Sequence, residues 1–230
     1  MVLRTFRLGE SDRIVVLVTE HNGKVRAVAK GISRTKSRFG ARLEPFSHVN
    51  LMLYKGRDLD IVTQVETINK FTTIRTDLDR LIRASCMTEA VDLVSQEREV
   101  NPQLYKMLVG ALSTLDSSNS SLILGGFYWK LLSLDGAAPA IDFCVQCGSR
   151  SSLVKFDFSQ GGILCHNCTK GQVIDPFILE LIKKILTNQL AAALNEVTED
   201  QSRQIETLGL QALESHLERN LKSMGVLGRH

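Results

Sequence analysis

Two hydrophobic periods divide this chain. Up to about residue 70, apolar and polar positions alternate in short runs, the period-two pattern of half-buried strands. From Phe71 onward, apolar positions recur every three to four residues, as on helices with one buried face. The first part predicts five short strands at about 2–5, 14–19, 24–30, 49–54 and 59–65. Asn22-Gly23 marks a tight hairpin between the second and third, and Gly56 marks the turn between the fourth and fifth. Five short strands with such turns close most naturally into a small antiparallel barrel. The oligonucleotide-binding (OB) fold is the commonest nucleic-acid version, with an SH3-like barrel as the alternative.

The second part predicts helices. Leu78, Ile82, Cys86, Ala90 and Val94 form one stripe, which reads Cys86 as a small buried residue and not a nucleophile. Asn101-Pro102 opens a helix carrying Leu104, Met107, Leu108, Ala111, Leu112 and Leu115. After a polar loop at 116–121, a largely apolar helix over 122–134 contains Trp129. Asp175-Pro176 opens another, striped by Ile178, Leu181, Ile182, Ile185 and Leu186. Ile205, Leu208, Ala212, Leu213, Leu217 and Leu221 mark the last, and a frayed tail is expected over 224–230. The fold class is therefore α+β multidomain: a barrel at 1–70, then a helical domain at 71–230 with an insertion at about 141–174.

That insertion carries the least ambiguous chemistry. Cys144-Val-Gln-Cys147 and Cys165-His-Asn-Cys168 flank a hairpin pattern, Leu153-Val154-Lys155-Phe156-Asp157-Phe158, a Ser159-Gln160-Gly161-Gly162 turn, then Ile163-Leu164. Two Cys-x-x-Cys pairs at this spacing predict a tetrahedral four-thiolate Zn2+ site, because two intervening residues let one tight turn aim both sulfurs at a single ion. Four thiolates leave no open position, so the ion is structural. Paired disulfides are the competing reading and suit a secreted chain; no signal-peptide pattern is present. His166 is a spare donor beside a complete quartet. The zinc unit is expected to staple together the helices it interrupts.

Composition adds a soluble globular character: 230 residues, 43% hydrophobic and 23% charged, with no apolar run of membrane-spanning length. This points to a cytoplasmic protein. The net charge of +3 hides an asymmetry, since the first 57 residues hold 12 basic and four acidic side chains. Lys24, Arg26 and Lys30 share one face of the third strand with Val28. The following segment adds Arg34, Lys36, Arg38 and Arg42 among small residues and glycines, with no acid between Lys24 and Arg42. A one-sign strand and loop predict phosphate contact by those seven residues. Phe39 is available to stack on a base or to anchor the loop in the core; anchoring is the better reading of a lone aromatic.

Residue for residue, the chain resembles the RecO family of bacterial recombination mediators. The matching words are Ala29-Lys30-Gly31, Lys36-Ser37-Arg38-Phe39-Gly40 with Leu43-Glu44-Pro45-Phe46, and Phe127-Tyr128-Trp129-Lys130-Leu131-Leu132 leading to Ala138-Pro139. Cys144-x-x-Cys147-Gly148 and Gly161-Gly162-x-Leu164-Cys165-x-x-Cys168 complete them. The resemblance implies binding of single- and double-stranded DNA, annealing of complementary strands, association with RecR, and assistance to RecA on DNA coated by single-stranded-DNA-binding protein. It makes Lys24, Arg26, Lys30, Arg34, Lys36, Arg38 and Arg42 the DNA contacts. It also implies an architectural role for zinc, since some relatives lack the cysteines. Family members usually carry a few residues before the first strand, and Met1 here falls almost on it.

No enzyme is expected. Asp58 with Asp60, and Asp77 with Asp79, are the carboxylate pairs a metal-dependent nuclease would use, but a pair of acids is also ordinary surface charge. A zinc deaminase signature and a Walker loop are absent. The rival to the mediator reading is an RNA-binding module of OB and zinc-ribbon type without mediator activity.

Overall fold

The computed structural model describes residues 1–34, 37, 39–187, 189 and 197–223. The fold is mixed α+β, and the chain forms two compact units, Met1–Ser118 with Lys222–His230, and Asn119–Leu221.

The first unit begins with five strands: β1 (Val2–Leu8), β2 (Asp12–Thr19), β3 (Gly23–Ala29), β4 (His48–Tyr54) and β5 (Asp60–Asn69). All five are where alternation predicts them, each within a few residues. They form one sheet in the order β1-β2-β3-β5-β4, with β3 and β5 parallel and the other neighbours antiparallel. The expected closed barrel is not what forms. β1 and β4 remain the sheet's two edges; among the described residues, Val2 N–H donates to the Ser47 carbonyl and Phe46 N–H to that of Val2 where the edges meet. A bulge after Val2 and a left-handed Phe46 (φ 67°) redirect both chains just there, so the ladder stops. Val2, Val15, Leu17, Ala27, Ala29, Phe39, Leu43 and Val62 fill the inner face.

Three helices complete this unit: α1 (Thr72–Thr76), α2 (Leu78–Val94) and α3 (Pro102–Ser117). Asp77 caps α2 by accepting the Arg80 N–H, and Asn101 caps α3 in the same way ahead of Pro102. The α2 stripe holds at Ile82, Cys86 and Ala90, starts later than expected and is broader. Leu78 is exposed, whereas Ile82, Ala84, Cys86, Met87, Ala90 and Val91 are buried. Arg80 donates to the Leu115 and Asp116 carbonyls and so satisfies the C-terminal end of α3.

In the second unit, α4 (Ser121–Leu134) is buried almost all round and crosses α6 (Glu199–Leu217) closely. The crossing needs glycine: a Cβ at Gly125 would lie 2.8 Å from the Glu206 backbone nitrogen. Between them come β6 (Leu153–Asp157), β7 (Gly162–Cys165), the two-residue β8 (Gln172–Val173) and α5 (Pro176–Leu186), whose N-cap is Asp175 as expected. Thr198 and Gln201 form a capping box at the start of α6. The hairpin packs on the helices: Trp129 and Phe156 meet edge to face at 5.8 Å, and Ser215 Oγ donates to the Phe158 carbonyl. Leu221 is buried beyond the end of α6, and the tail over 224–230 lies outside the described residues.

Candidate nucleic-acid interface and metal centre

On β3 the basic residues meet different fates. Lys24 Nζ turns to α2, donating to the Asp92 carbonyl at 2.7 Å and lying 3.3 Å from its carboxylate. Arg4 holds the other carboxylate oxygen at 2.6 Å, so two cations answer one buried anion. Arg26 is exposed and pairs loosely with Glu97 at 3.5 Å. Lys30 and Arg34 are exposed at the other end of the strand. There Asp12 accepts the Gly31 N–H at 2.7 Å and pins the start of the basic loop. That hydrogen bond, helped by Ser11 and by the charges of Arg34 and Lys30, holds the Asp12 carboxyl below its ordinary value against a modest cost of burial.

Lys36 and Arg38 lie outside the described residues. Phe39 is buried in the sheet core, so it anchors the loop. A 3-10 turn follows at Gly40–Leu43, carrying Arg42, whose guanidinium approaches the Val65 carbonyl at 3.5 Å. Arg13 closes the loop's far end through Glu44 at 2.9 Å. Two further cations, Lys70 and Arg75, join Arg42 around a pocket of about 300 Å3. Sequence patterning missed them because they lie 28 and 33 residues beyond Arg42, on the far side of β4 and β5. Arg75 is fixed by the Lys70 and Pro45 carbonyls and by Ser47 Oγ.

The members of each acidic pair sit in different environments. Asp60 is buried and bound to Arg98 at 2.7 Å, while Asp58 sits exposed in the turn before β5. Asp77 is a helix cap, and Asp79 is exposed in the first turn of α2.

The metal centre lies in the second unit. The Sγ atoms of Cys144, Cys147, Cys165 and Cys168 all fall within 4.8 Å of one another, the one group of three or more potential ligands among the described residues. Each knuckle is a tight turn. Gly148, at φ 76°, donates its N–H to the Cys144 carbonyl, and Cys168 N–H donates to that of Cys165. Sulfur separations of 3.6, 3.6 and 3.7 Å are far beyond the ~2.05 Å of a disulfide. They match the about 3.8 Å that four ligands at ~2.3 Å from one tetrahedral ion would show. The residues thus fit a zinc ion. Lys155 Nζ ties the hairpin to the second knuckle, donating to the His166 and Cys168 carbonyls at 3.1 and 2.7 Å. His166 itself is exposed and outside the quartet.

The sulfurs differ electrostatically. Burial works against the Cys144 thiolate, but the backbone N–H groups of Cys165, Cys147 and Gln146 outweigh it and bring the thiol down to about 6. Burial and the neighbouring sulfurs push Cys168 up to about 12. A dication at the centre of the quartet is the partner that lets all four exist as thiolates.

The chain is similar to known proteins over its whole length. Residues 1–71 match the family model described as Recombination protein O N terminal, and residues 75–225 match that of Recombination protein O C terminal. A DNA repair protein RecO from Nocardioides sp. is 39% identical over 238 residues, covering 100% of this chain and 97% of that protein. One from Cutibacterium acnes is 37% identical over 239 residues, with the same coverage of 100% and 97%.

Proposed function

This chain belongs to the RecO family, and we propose that it serves DNA repair as a recombination mediator of the cytoplasm and nucleoid. In this reading it binds single- and double-stranded DNA, anneals complementary strands, works with RecR, and helps RecA onto DNA coated by single-stranded-DNA-binding protein. The observation that carries the reading is the exposed cationic run from Arg26 through Lys30 and Arg34 to Arg42, anchored by Phe39, on a chain of this family.

Annealing needs no catalytic side chain. It needs a cationic surface that holds two phosphate backbones close while their bases stay free to pair. Arg26, Lys30, Arg34, Lys36, Arg38 and Arg42 supply that surface. Lys24, its ammonium directed at Asp92, contributes less to phosphate and more to docking β3 on α2. The four cysteines hold a structural zinc ion, which would fix the two knuckles and the hairpin between them. No helix among the described residues is long and apolar enough to cross a membrane.

Six phosphate contacts predict that log K for a single strand falls with log salt at a slope near roughly −4. An Arg34→Ala/Lys36→Ala/Arg38→Ala variant should shallow that slope by about 2. Fluorescence anisotropy with an oligonucleotide over a salt series measures it. An unchanged slope would remove the loop from the interface, and a preference for RNA without annealing would favour the RNA-binding alternative.

A further inference from the structure

β3 and β5 pair only at Ala27↔Asp60 and Val28↔Ile61. Ahead of Ala27, that edge of β3 needs another partner for its backbone groups. The segment between α2 and α3 supplies it. Glu97 forms a parallel bridge with Lys24, and Arg98 N–H donates to the Lys24 carbonyl at 3.0 Å. The segment is a strap fastened at two points. The Arg98 guanidinium grips the buried Asp60 carboxylate at 2.7 Å. One residue on, Glu99 N–H closes a turn on the Gln96 carbonyl, and the Glu99 main chain lies against Gly23, where a Cβ would overlap it. Arg98 takes a left-handed backbone (φ 63°) on the way, a conformation that a residue with a side chain keeps only where its surroundings enforce it.

The strap lays acid on a basic strand. Its sequence is Gln96-Glu97-Arg98-Glu99. The bridge to β3 places the Glu97 backbone beside Lys24, and the Glu97 carboxylate lies 3.5 Å from the Arg26 guanidinium. Both side chains stay open to solvent, 57% exposed for Glu97 and 46% for Arg26. A long pair between exposed side chains is weak, so an arriving anion can exchange with it. Lys30 and Arg34, further along the same cationic run, form no ion pair among the described residues. Arg26 differs from them in starting with a resident carboxylate.

We propose that the 95–99 strap is an autoinhibitory contact: Glu97 occupies the Arg26 guanidinium as an internal stand-in for phosphate, and a DNA backbone displaces it before Arg26 contributes to binding. This regulation rests on the DNA-binding reading above. Displacement asks only the Glu97 side chain to turn, because Asp60 and Gly23 hold the rest of the strap in place. The exchange discriminates between anions. Glu97 is tethered and so competes at high effective concentration; a lone anion from solution does not match it, whereas a backbone already held at Lys30 and Arg34 is tethered too.

The test is a double-mutant cycle on the full chain: wild type, Glu97→Gln, Arg26→Gln and the two together, each titrated into labelled oligo(dT) at about 0.1 M salt, where distant charges are screened. Glu99→Gln is the control, with the same change of charge at a residue that forms no ion pair among the described residues. Circular dichroism and melting confirm that each variant is folded. Glu97→Gln should bind roughly threefold more tightly than wild type, and should change affinity by less than about 1.5-fold when Arg26 is already Gln. Glu99→Gln should also stay within about 1.5-fold. No gain on Glu97→Gln, the same gain without Arg26, or an equal gain on Glu99→Gln would overturn the strap. In each of those cases, binding by wild type that is lost in the Arg34→Ala/Lys36→Ala/Arg38→Ala variant leaves the DNA-binding reading standing. A folded wild-type chain that does not bind oligo(dT) would overturn that reading, and the strap with it.

Discussion

At Gly23 the backbone is left-handed (φ 63°), and a Cβ there would overlap the carbonyl group of Glu99. Two penalties coincide, an unfavourable φ for any side chain and a clash with main chain that has no rotamer to give. Gly23→Ala should therefore lower stability by about 2–4 kcal/mol in denaturant unfolding. A loss below about 0.5 kcal/mol would contradict the close approach of 96–99 to the β2–β3 turn. His48 sets a second residue-scale expectation. Its Nε2 lies 2.8 Å from Tyr105 Oη, and burial, with the amino-terminal charge behind it, holds its pKa below the ordinary 6.5. The unfolded chain then takes up this proton at higher pH than the folded one, so stability drops as pH falls through about 6.5. Melting temperatures of wild type and His48→Gln across pH 5–8 should converge as the pH falls. A constant difference would contradict the assignment.

Among the elements, those set by local pattern were legible in the sequence. Alternation located all five strands, Asn22-Gly23 the hairpin, Pro102 and Pro176 the helix starts, and the cysteine spacing the knuckles. Elements and contacts set by distant partners were not. The sheet's failure to close depends on how Val2 meets residues 46–47, and no local pattern reports that meeting. Lys24 reads as a surface cation until α2 brings Asp92 to it from 68 residues away. Leu78 fits the stripe by spacing but sits in the first turn after the Asp77 cap, where the helix is still exposed. The Thr198-x-x-Gln201 capping box is a local motif of the sequence that marks the start of α6. The zinc unit carries this scale's prediction. Purified protein should hold close to one Zn2+ per chain by elemental analysis. Stripping it with a strong chelator, or replacing Cys165 and Cys168 by serine, should lower the second unit's melting temperature by roughly 10 °C or more. Metal-free protein with unchanged melting would contradict a structural ion.

For the molecule as a whole, the proposed function falls to surfaces. In the function proposed above, a cationic strand and loop would hold phosphate and four cysteines would fix an insertion within a largely helical unit, while Lys24 and Arg4 pair with Asp92. Family membership supplies the context of DNA repair, and the proposal asks the exposed cationic run to hold two backbones at once. Such a surface should accelerate pairing of complementary strands even when a coating protein occupies them. The most direct measurement is annealing of complementary oligonucleotides coated with single-stranded-DNA-binding protein, by wild type and by the Arg34→Ala/Lys36→Ala/Arg38→Ala variant, at two salt concentrations. The account predicts rapid annealing by wild type that weakens with salt and falls at least roughly tenfold in the variant. Folded, zinc-loaded wild type that fails to anneal the coated strands would contradict it.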